Sequence, residues 1–169
     1  MSTATLTGER ADLLKTLDKH RGFLRYTVQG LTDEQAAQRT TASELCLGGL
    51  IKHVTRMESR WVDFILGGPQ AMQFNERSFA EHAESFQMLA GETLAGLLEA
   101  YDKVAQRTNE LVTTIDLDSS QPLPQAPWFE EGGRWSARRV FLHVIAETAQ
   151  HAGHADIIRE ALDGQKTMG

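Results

Sequence analysis

Apolar residues recur at intervals of three and four along four long segments of the chain. This spacing places them on one face of an α-helix, and no segment shows the sustained alternation expected of a half-buried strand. The pattern therefore predicts an all-α protein. We place its four long helices at residues 8–29, 43–66, 78–114 and 136–163.

The ends of the first two helices are marked by residues that interrupt helical hydrogen bonding. Gly30 is well placed to end the first helix. The second helix is expected to start at Ser43 and to stop at residues 67–69, where Gly-Gly-Pro breaks the ladder. These signals separate the second helix from both of its neighbours.

The third predicted helix begins with the pattern of a capping box. Ser78 precedes Glu81 by three residues, which is the spacing of that motif. We extend this helix to residue 114, with a kink near Gly91 or Gly96. Its glutamates are interpreted as a solvated face: Glu81, Glu84 and Glu99.

The fourth helix follows the longest irregular stretch, residues 115–135. Ser136 is its expected N-cap and Gly164 its expected C-terminal stop. The stretch before it carries three prolines and three aromatic residues: Pro122, Pro124, Pro127, Trp128, Phe129 and Trp135. Long loops in compact domains are often functional, so we expect either a cover over a site or an apolar plug at one end of the helices.

Four helices without strands predict a four-helix bundle, antiparallel or with one long crossover connection, and such bundles hold their sites on inward-facing side chains. A length of 169 residues suits one domain, and no internal repeat or low-complexity tract divides the chain. We therefore expect residues 1–169 to form a single domain that carries whatever function exists.

Composition and charge exclude several classes of partner. A net charge of -6, with Lys and Arg scattered along the chain, argues against nucleic acid. No apolar stretch approaches the roughly 20 residues that span a bilayer, and residues 1–10 lack the pattern of a secretory signal. The single cysteine, Cys46, cannot form an internal disulfide. The expected location is therefore the cytoplasm.

The fourth helix carries the most informative polar residues. His143, Glu147, His151 and His154 are spaced by four, four and three residues, so they form one stripe within an arc of about 80°. Apolar residues share that side of the helix: Val140, Val144, Ile158 and Leu162. The stripe therefore faces the core, where a carboxylate needs a partner.

A divalent cation between Glu147 and His151 would remove the cost of burying that carboxylate. The second helix offers a third ligand, His53, which lies on the same face as several apolar residues: Cys46, Leu50, Met57, Trp61 and Phe64. Two imidazoles and one carboxylate suit a catalytic zinc with an open position, or a facial triad on iron. We predict a metal site at His53, Glu147 and His151. Zinc is the first choice, and nickel, iron and manganese are compatible with these ligands.

Simpler interpretations apply to the remaining histidines. His143 lies a full turn before Glu147, and we interpret it as a core histidine or one that supports a ligand. His154 is a candidate fourth ligand or proton-transfer group, but a position at the rim or beside a ligand ranks first. The spacing of Glu147 and His151 alone is common by chance, so the prediction depends on the inward-facing His53.

Three stretches of the sequence resemble the DinB-like metal-binding superfamily: residues 30–53, 58–61 and 143–160. This superfamily includes thiol-dependent S-transferases and mycothiol-dependent maleylpyruvate isomerases. The resemblance implies a four-helix bundle with long inter-helix loops. It also implies a metal bound by one histidine of the second helix and two ligands four residues apart on the last helix. Those positions are His53, Glu147 and His151 here.

The resemblance implies an enzyme that transfers a low-molecular-weight thiol, such as mycothiol, to an electrophilic small molecule. A metal-bound thiol is deprotonated, so no protein nucleophile is needed, although His154 is a candidate to assist. The chain ends at Gly169, whereas the longer isomerases carry a second domain, so thiol transfer is expected rather than isomerisation. Two alternatives stay open: a metal-dependent hydrolase, and a non-catalytic metal- or ligand-binding stress protein. Related bundles often dimerise, which makes a homodimer a candidate assembly.

Overall fold

The computed structural model describes residues 6–72 and 74–167, and most of this length is helical, as the periodicity predicts. The helices are α1 (Glu9–Tyr26), α2 (Asp33–Ala37), α3 (Leu47–Gly67), α4 (Glu76–Ser85), α5 (Leu94–Thr114) and α6 (Ala137–Asp163). A 3-10 turn, Gly68–Ala71, follows α3, and two strands, β1 (Ser120–Pro122) and β2 (Arg134–Ser136), precede α6. Within the described part of the chain, no helix has the length and apolar character needed to cross a membrane.

Each of the four long helices, α1, α3, α5 and α6, packs against two of the others. Helix α1 contacts α5 and α6, and α3 contacts the same two helices from the other side. One half of the core lies toward the strands: Leu13, Leu17, Trp61, Phe64, Val112, Val140, Phe141 and Val144. The other half lies toward the opposite ends of the helices: Leu24, Leu50, Val54, Tyr101, Ala155 and Ile158. The apolar faces found from spacing are therefore the faces that these helices bury.

The boundaries of the first two predicted helices change in the structure. The first helix ends at Tyr26, and a turn leads to Gly30, whose φ of 73° explains the glycine there. The second helix begins at Leu47, not at Ser43, because the sulfur of Cys46 accepts a hydrogen bond from the Gly49 backbone nitrogen and caps it. The short helix α2 was not expected from the sequence, since five residues are too few to show a period.

The prediction of one helix over residues 78–114 is wrong. Helix α4 ends at Ser85 and α5 starts after Thr93, which accepts a hydrogen bond from the Gly96 backbone nitrogen at 3.1 Å. Between them Gly91 has a φ of 86°, so the suspected kink is a complete break. The capping box also shifts, because Asn75 is the N-cap and Ser78 is its third residue.

The break brings the segment after α4 onto the first turn of α3. A Cβ built on Gly49 would lie 2.0 Å from the Phe86 carbonyl oxygen, and one on Gly48 would lie 2.7 Å from the Met88 sulfur. No side chain fits at Gly49 without moving that backbone. The close approach places Ser85 and Phe86 directly over α3.

Replacing Gly49 by alanine is expected to lower the free energy of unfolding by about 1–3 kcal/mol, because the new methyl group overlaps a backbone carbonyl. The matched control is Gly22→Ala on α1, where nothing lies within 4 Å of the added carbon. There alanine should stabilise the helix by roughly 0.5–1 kcal/mol. Urea unfolding of the two variants measures the difference, and equal effects would contradict the close approach.

The fourth helix is the prediction that the structure confirms most closely. Ser136 accepts a hydrogen bond from the Arg139 backbone nitrogen at 3.1 Å, and Gly164, with a φ of 82°, ends α6. The stretch before it was expected to lack strands, and this is wrong, because β1 pairs antiparallel with β2 in the register Ser120↔Ser136. Three residues per strand are too few for an alternating pattern to show.

Candidate metal centre

The structure brings together His53 on α3 with Glu147 and His151 on α6. One ligand atom from each side chain lies within 4.8 Å of the other two. His53 and His151 are buried, with 5% and 8% of their surface exposed, and Glu147 is half-buried. The Oε2 of Glu147 is 3.7 Å from the Nε2 of His151, too far for a hydrogen bond and suited to two ligands sharing an ion.

A serine on α4 fixes which nitrogen of His53 faces the other two side chains. The Ser85 hydroxyl donates its hydrogen to the His82 carbonyl oxygen at 2.6 Å. It must therefore accept from the Nδ1–H of His53, which lies 2.9 Å away. This hydrogen bond leaves the lone pair on Nε2, as in histidines that bind a metal through that atom.

Burial shifts the pKa of all three side chains. Desolvation, followed by the effects of His151 and His82, lowers the pKa of His53 to about 3. Desolvation, followed by His154 and His82, lowers the pKa of His151 to about 4. Both imidazoles are therefore neutral at physiological pH and can offer lone pairs. Desolvation also raises the pKa of Glu147, because burial disfavours the charged carboxylate. A bound cation would stabilise that charge. The donor set fits a divalent metal.

The other histidines of α6 lie outside this group. His154 is exposed, and its Nδ1 is 3.4 Å from the Nδ1 of His151. Glu147 lies near the other ring nitrogen of His151, Nε2. His154 is therefore beside a candidate ligand and at the rim. The ring of His143 packs edge-on against Trp61 at 4.7 Å and against Trp135 at 5.1 Å. Burial lowers the pKa of His143, and Arg139 adds to this.

Sequence reasoning missed the contribution of α4. Besides Ser85, this helix places the ring of His82 at 5.3 Å from that of His53, and Phe86 just after it stacks on His53 at 3.9 Å. The sequence predicts that Glu81 and Glu84 of this segment lie on the solvated face of a longer helix. The available signal was Gly91, because a complete break there frees α4 to fold back over α3.

A cavity of about 940 Å³ lies beside His53 and Glu147. Helices α3 and α4 and the 3-10 turn form much of its wall, and Trp128 and Phe129 of the long loop complete it. Trp128 is 55% exposed and contacts Phe74, with 5.0 Å between ring centroids. Trp135 instead stacks on Trp61 at 4.7 Å. The loop therefore contributes both a cavity wall and a core plug.

Comparison with known proteins gives a family and a fold. A family model described as mycothiol-S-transferase matches residues 12–164. A conserved protein from Enterococcus faecalis, solved as a crystal structure, superposes with a TM-score of 0.69 over 95% of this chain and 100% of that one. Its sequence identity of 11% supports the fold alone. No curated protein matches the sequence significantly.

Proposed function

The chain belongs to the mycothiol-S-transferase family, and we propose that it transfers a low-molecular-weight thiol of the mycothiol type to an electrophilic small molecule. The reaction is proposed to depend on a divalent metal held by His53, Glu147 and His151. The observation that carries the proposal is the convergence of these three donors, two of which, His53 and Glu147, line the cavity. Two imidazoles and a carboxylate leave room for a thiol to bind as well.

A divalent ion at these residues would lower the pKa of a bound thiol, so that the sulfur is present as the nucleophilic thiolate. Each protein side chain then has a separate task. His53 and His151 supply neutral nitrogens, and Ser85 holds the ring of His53 in place. The aromatic residues around Trp128 offer the electrophile an apolar surface. In the transfer a carbon–sulfur bond forms, the leaving group departs with its electron pair, and the thiol proton passes to solvent.

The finer parts of the assignment are also proposals. We propose that α1, α3, α5 and α6 form a four-helix bundle of the DinB-like type and that the chain folds as one domain. Zinc is the proposed metal, because its ligand preferences include both imidazole and carboxylate. A cytoplasmic location and a homodimer stay predictions.

A non-catalytic metal site is less well supported than an enzyme. A structural zinc usually has four protein ligands. The sequence suggests His154 as a fourth ligand, but His154 lies beside the Nδ1 of His151 and is not part of the group of three. Three donors, two of which line a cavity, instead resemble an arrangement in which small molecules complete the coordination.

The direct test offers the purified, zinc-loaded protein a panel of thiols, mycothiol among them, and a panel of electrophiles. Mass spectrometry should detect thiol conjugates formed faster than in the uncatalysed reaction. His151→Gln should abolish the acceleration, whereas His20→Gln on α1 should keep it. Electrophiles that emerge unmodified, or that are hydrolysed without consuming thiol, would contradict the proposal, and the second result would favour the hydrolase.

Replacing Ser85 by alanine is expected to weaken metal binding by about 10–100-fold, because His53 loses the hydrogen bond that orients its ring. Competition with a fluorescent zinc chelator measures the affinity. Ser85→Thr keeps a hydroxyl and should retain most of it, and the exposed Ser43→Ala is a neutral control. An unchanged affinity in Ser85→Ala would show that this serine does not orient a ligand.

Replacing Trp128 by alanine is expected to raise the KM for the electrophile by about 3–10-fold, as the loss of one aromatic contact implies. Because the side chain is 55% exposed, the melting temperature should hardly change. The matched control is Trp135→Ala, which removes a ring stacked on Trp61 and should cost roughly 3–5 kcal/mol of stability. A large loss of stability in Trp128→Ala would mean that the loop only plugs the core.

A further inference from the structure

The cavity wall carries an excess of positive charge. Among the residues that the structure describes, three arginines line it, Arg56, Arg60 and Arg77, in a chain whose net charge is -6. Glu81 forms ion pairs with two of them. It accepts hydrogen bonds from the Nη2 of Arg56 at 3.2 Å and from the Nε of Arg77 at 2.8 Å. An anion entering the cavity would therefore meet a favourable potential.

The other two acidic side chains in the wall do not balance this charge. Asp63 pairs with Arg107, 2.7 Å away, and Arg107 is not part of the wall. Glu147 is one of the three candidate metal ligands. The cationic excess therefore lies at the aromatic end of the cavity.

The arginines lie beside an apolar surface. The guanidinium of Arg60 is 5.1 Å from the ring centroid of Phe74. Burial lowers the pKa of Arg60, and the nearby charge of Glu81 opposes this shift. Phe79 and Trp128, each about half exposed, continue the aromatic surface. A flat apolar group would pack here with its charged end at the guanidiniums.

The distance from these arginines to the metal ligands suits a small molecule. Arg56 and Arg60 follow His53 on α3 by three and seven residues, which is about 5 and 10 Å along the helix axis. Both arginines line the same cavity as His53. One compact molecule can therefore contact an arginine and present its reactive carbon beside the metal ligands.

We propose that the electrophile accepted by this site is an organic anion, with an apolar or aromatic body and a carboxylate within about 10 Å of the carbon that the thiol attacks. Arg56 and Arg60 bind the carboxylate, and Phe74, Phe79 and Trp128 bind the body. The inference rests on the proposed thiol transfer and specifies its second substrate. Charge-assisted hydrogen bonds from arginine to a carboxylate are strong and directional, so they would select this class.

The test compares two electrophiles that differ only in charge. A para-chloro-dinitrobenzoate and the corresponding benzamide have nearly the same shape and the same reactive carbon. In each, the thiolate forms a carbon–sulfur bond, and chloride leaves with the bonding electron pair. Each enzymatic rate is divided by the uncatalysed rate with the same thiol. The zinc-loaded protein should show a kcat/KM at least about tenfold higher for the benzoate, and higher salt should reduce this ratio.

The variants Arg60→Gln and Arg56→Gln should lower the benzoate-to-benzamide ratio by about tenfold, whereas Lys103→Gln, which removes an equal charge at an exposed site, should not. A ratio near one in the unmodified protein would overturn the inference. So would an arginine variant that slows both electrophiles equally, because that result indicates a structural role.

A binding measurement separates this inference from the proposed activity. Dinitrobenzoate and dinitrobenzamide without chlorine cannot react, so calorimetry reports their affinity whether or not the protein transfers thiols. The benzoate should bind more tightly, and Arg60→Gln should remove the difference. Selective binding without any transfer would refute the enzyme activity and keep the anion site. Thiol transfer without charge selectivity would support the enzyme activity and refute the anion site.

Discussion

Replacing Arg21 by methionine is expected to lower the free energy of unfolding by about 3–5 kcal/mol, because it leaves a buried carboxylate unpaired. Glu58 is completely buried, and Arg21 is 3% exposed. The Nη2 of Arg21 donates to Glu58 Oε1 at 2.5 Å, and Thr108 donates to the same oxygen. Arg21 also donates to Asn109, so the network joins α1, α3 and α5. Glu58 lies five residues after His53, and the network therefore holds α3 where the metal ligand needs it.

Two comparisons make this prediction specific. The double variant Arg21→Met/Glu58→Leu should recover most of the loss, because replacing both partners by apolar groups removes the unpaired charge. Lys103→Met breaks an exposed pair with Glu99 and should leave the stability almost unchanged, because solvent screens such pairs. Chemical unfolding measures all three proteins. A loss below about 1 kcal/mol in the single variant would mean that the carboxylate finds solvent or another partner.

The metal-free protein is expected to lose stability steeply as the pH falls from about 6.5 to about 4. The ordinary histidine pKa is 6.5, whereas the pKa of folded His53 is about 3 and that of His151 about 4. In this pH range His53 and His151 become protonated in the unfolded chain but stay neutral in the folded protein. Lower pH therefore favours unfolding. Each histidine should contribute a loss on the order of 3 kcal/mol by about pH 4. A bound metal, which needs neutral imidazoles, should leave over the same range.

The contribution of the two histidines can be separated from that of the carboxylates. His53→Gln and His151→Gln each remove one titrating histidine, and all carboxylates stay common to the proteins compared. The decline in unfolding free energy between about pH 7 and pH 4 should shrink by roughly 3 kcal/mol in each variant. An identical decline in the unmodified protein and both variants would show that these histidines accept protons in the folded state.

The parts of the fold that could be predicted from sequence depend on long, regular signals. Helix α6 has 27 residues, a serine N-cap and a glycine stop, so its period and both ends were visible. The candidate site followed from the same helix, because Glu147 and His151 are one turn apart on its core-facing side. His53 was found since it lies among apolar residues at helical spacing on α3. Within one helix, sequence spacing determines which side chains are neighbours.

The rest depended on contacts between distant parts of the chain. Ser85 and His82 reach the site because Gly49 admits the backbone of Phe86, and the sequence around Gly49 does not indicate this approach. Arg21 and Glu58 resemble solvated residues in the sequence, since a charge reveals nothing about a partner 37 residues away. The break after α4 was mistaken for a kink, because the apolar spacing continues on both sides of it.

Elemental analysis of the purified protein shows directly whether His53, Glu147 and His151 hold a divalent metal. Mass spectrometry of the digested protein should find close to one transition metal ion per chain. The same measurement on His53→Ala should find almost none, with His20→Ala as the matched control, provided that circular dichroism shows each variant to be folded. Metal retained in His53→Ala at the occupancy of the unmodified protein would contradict the account.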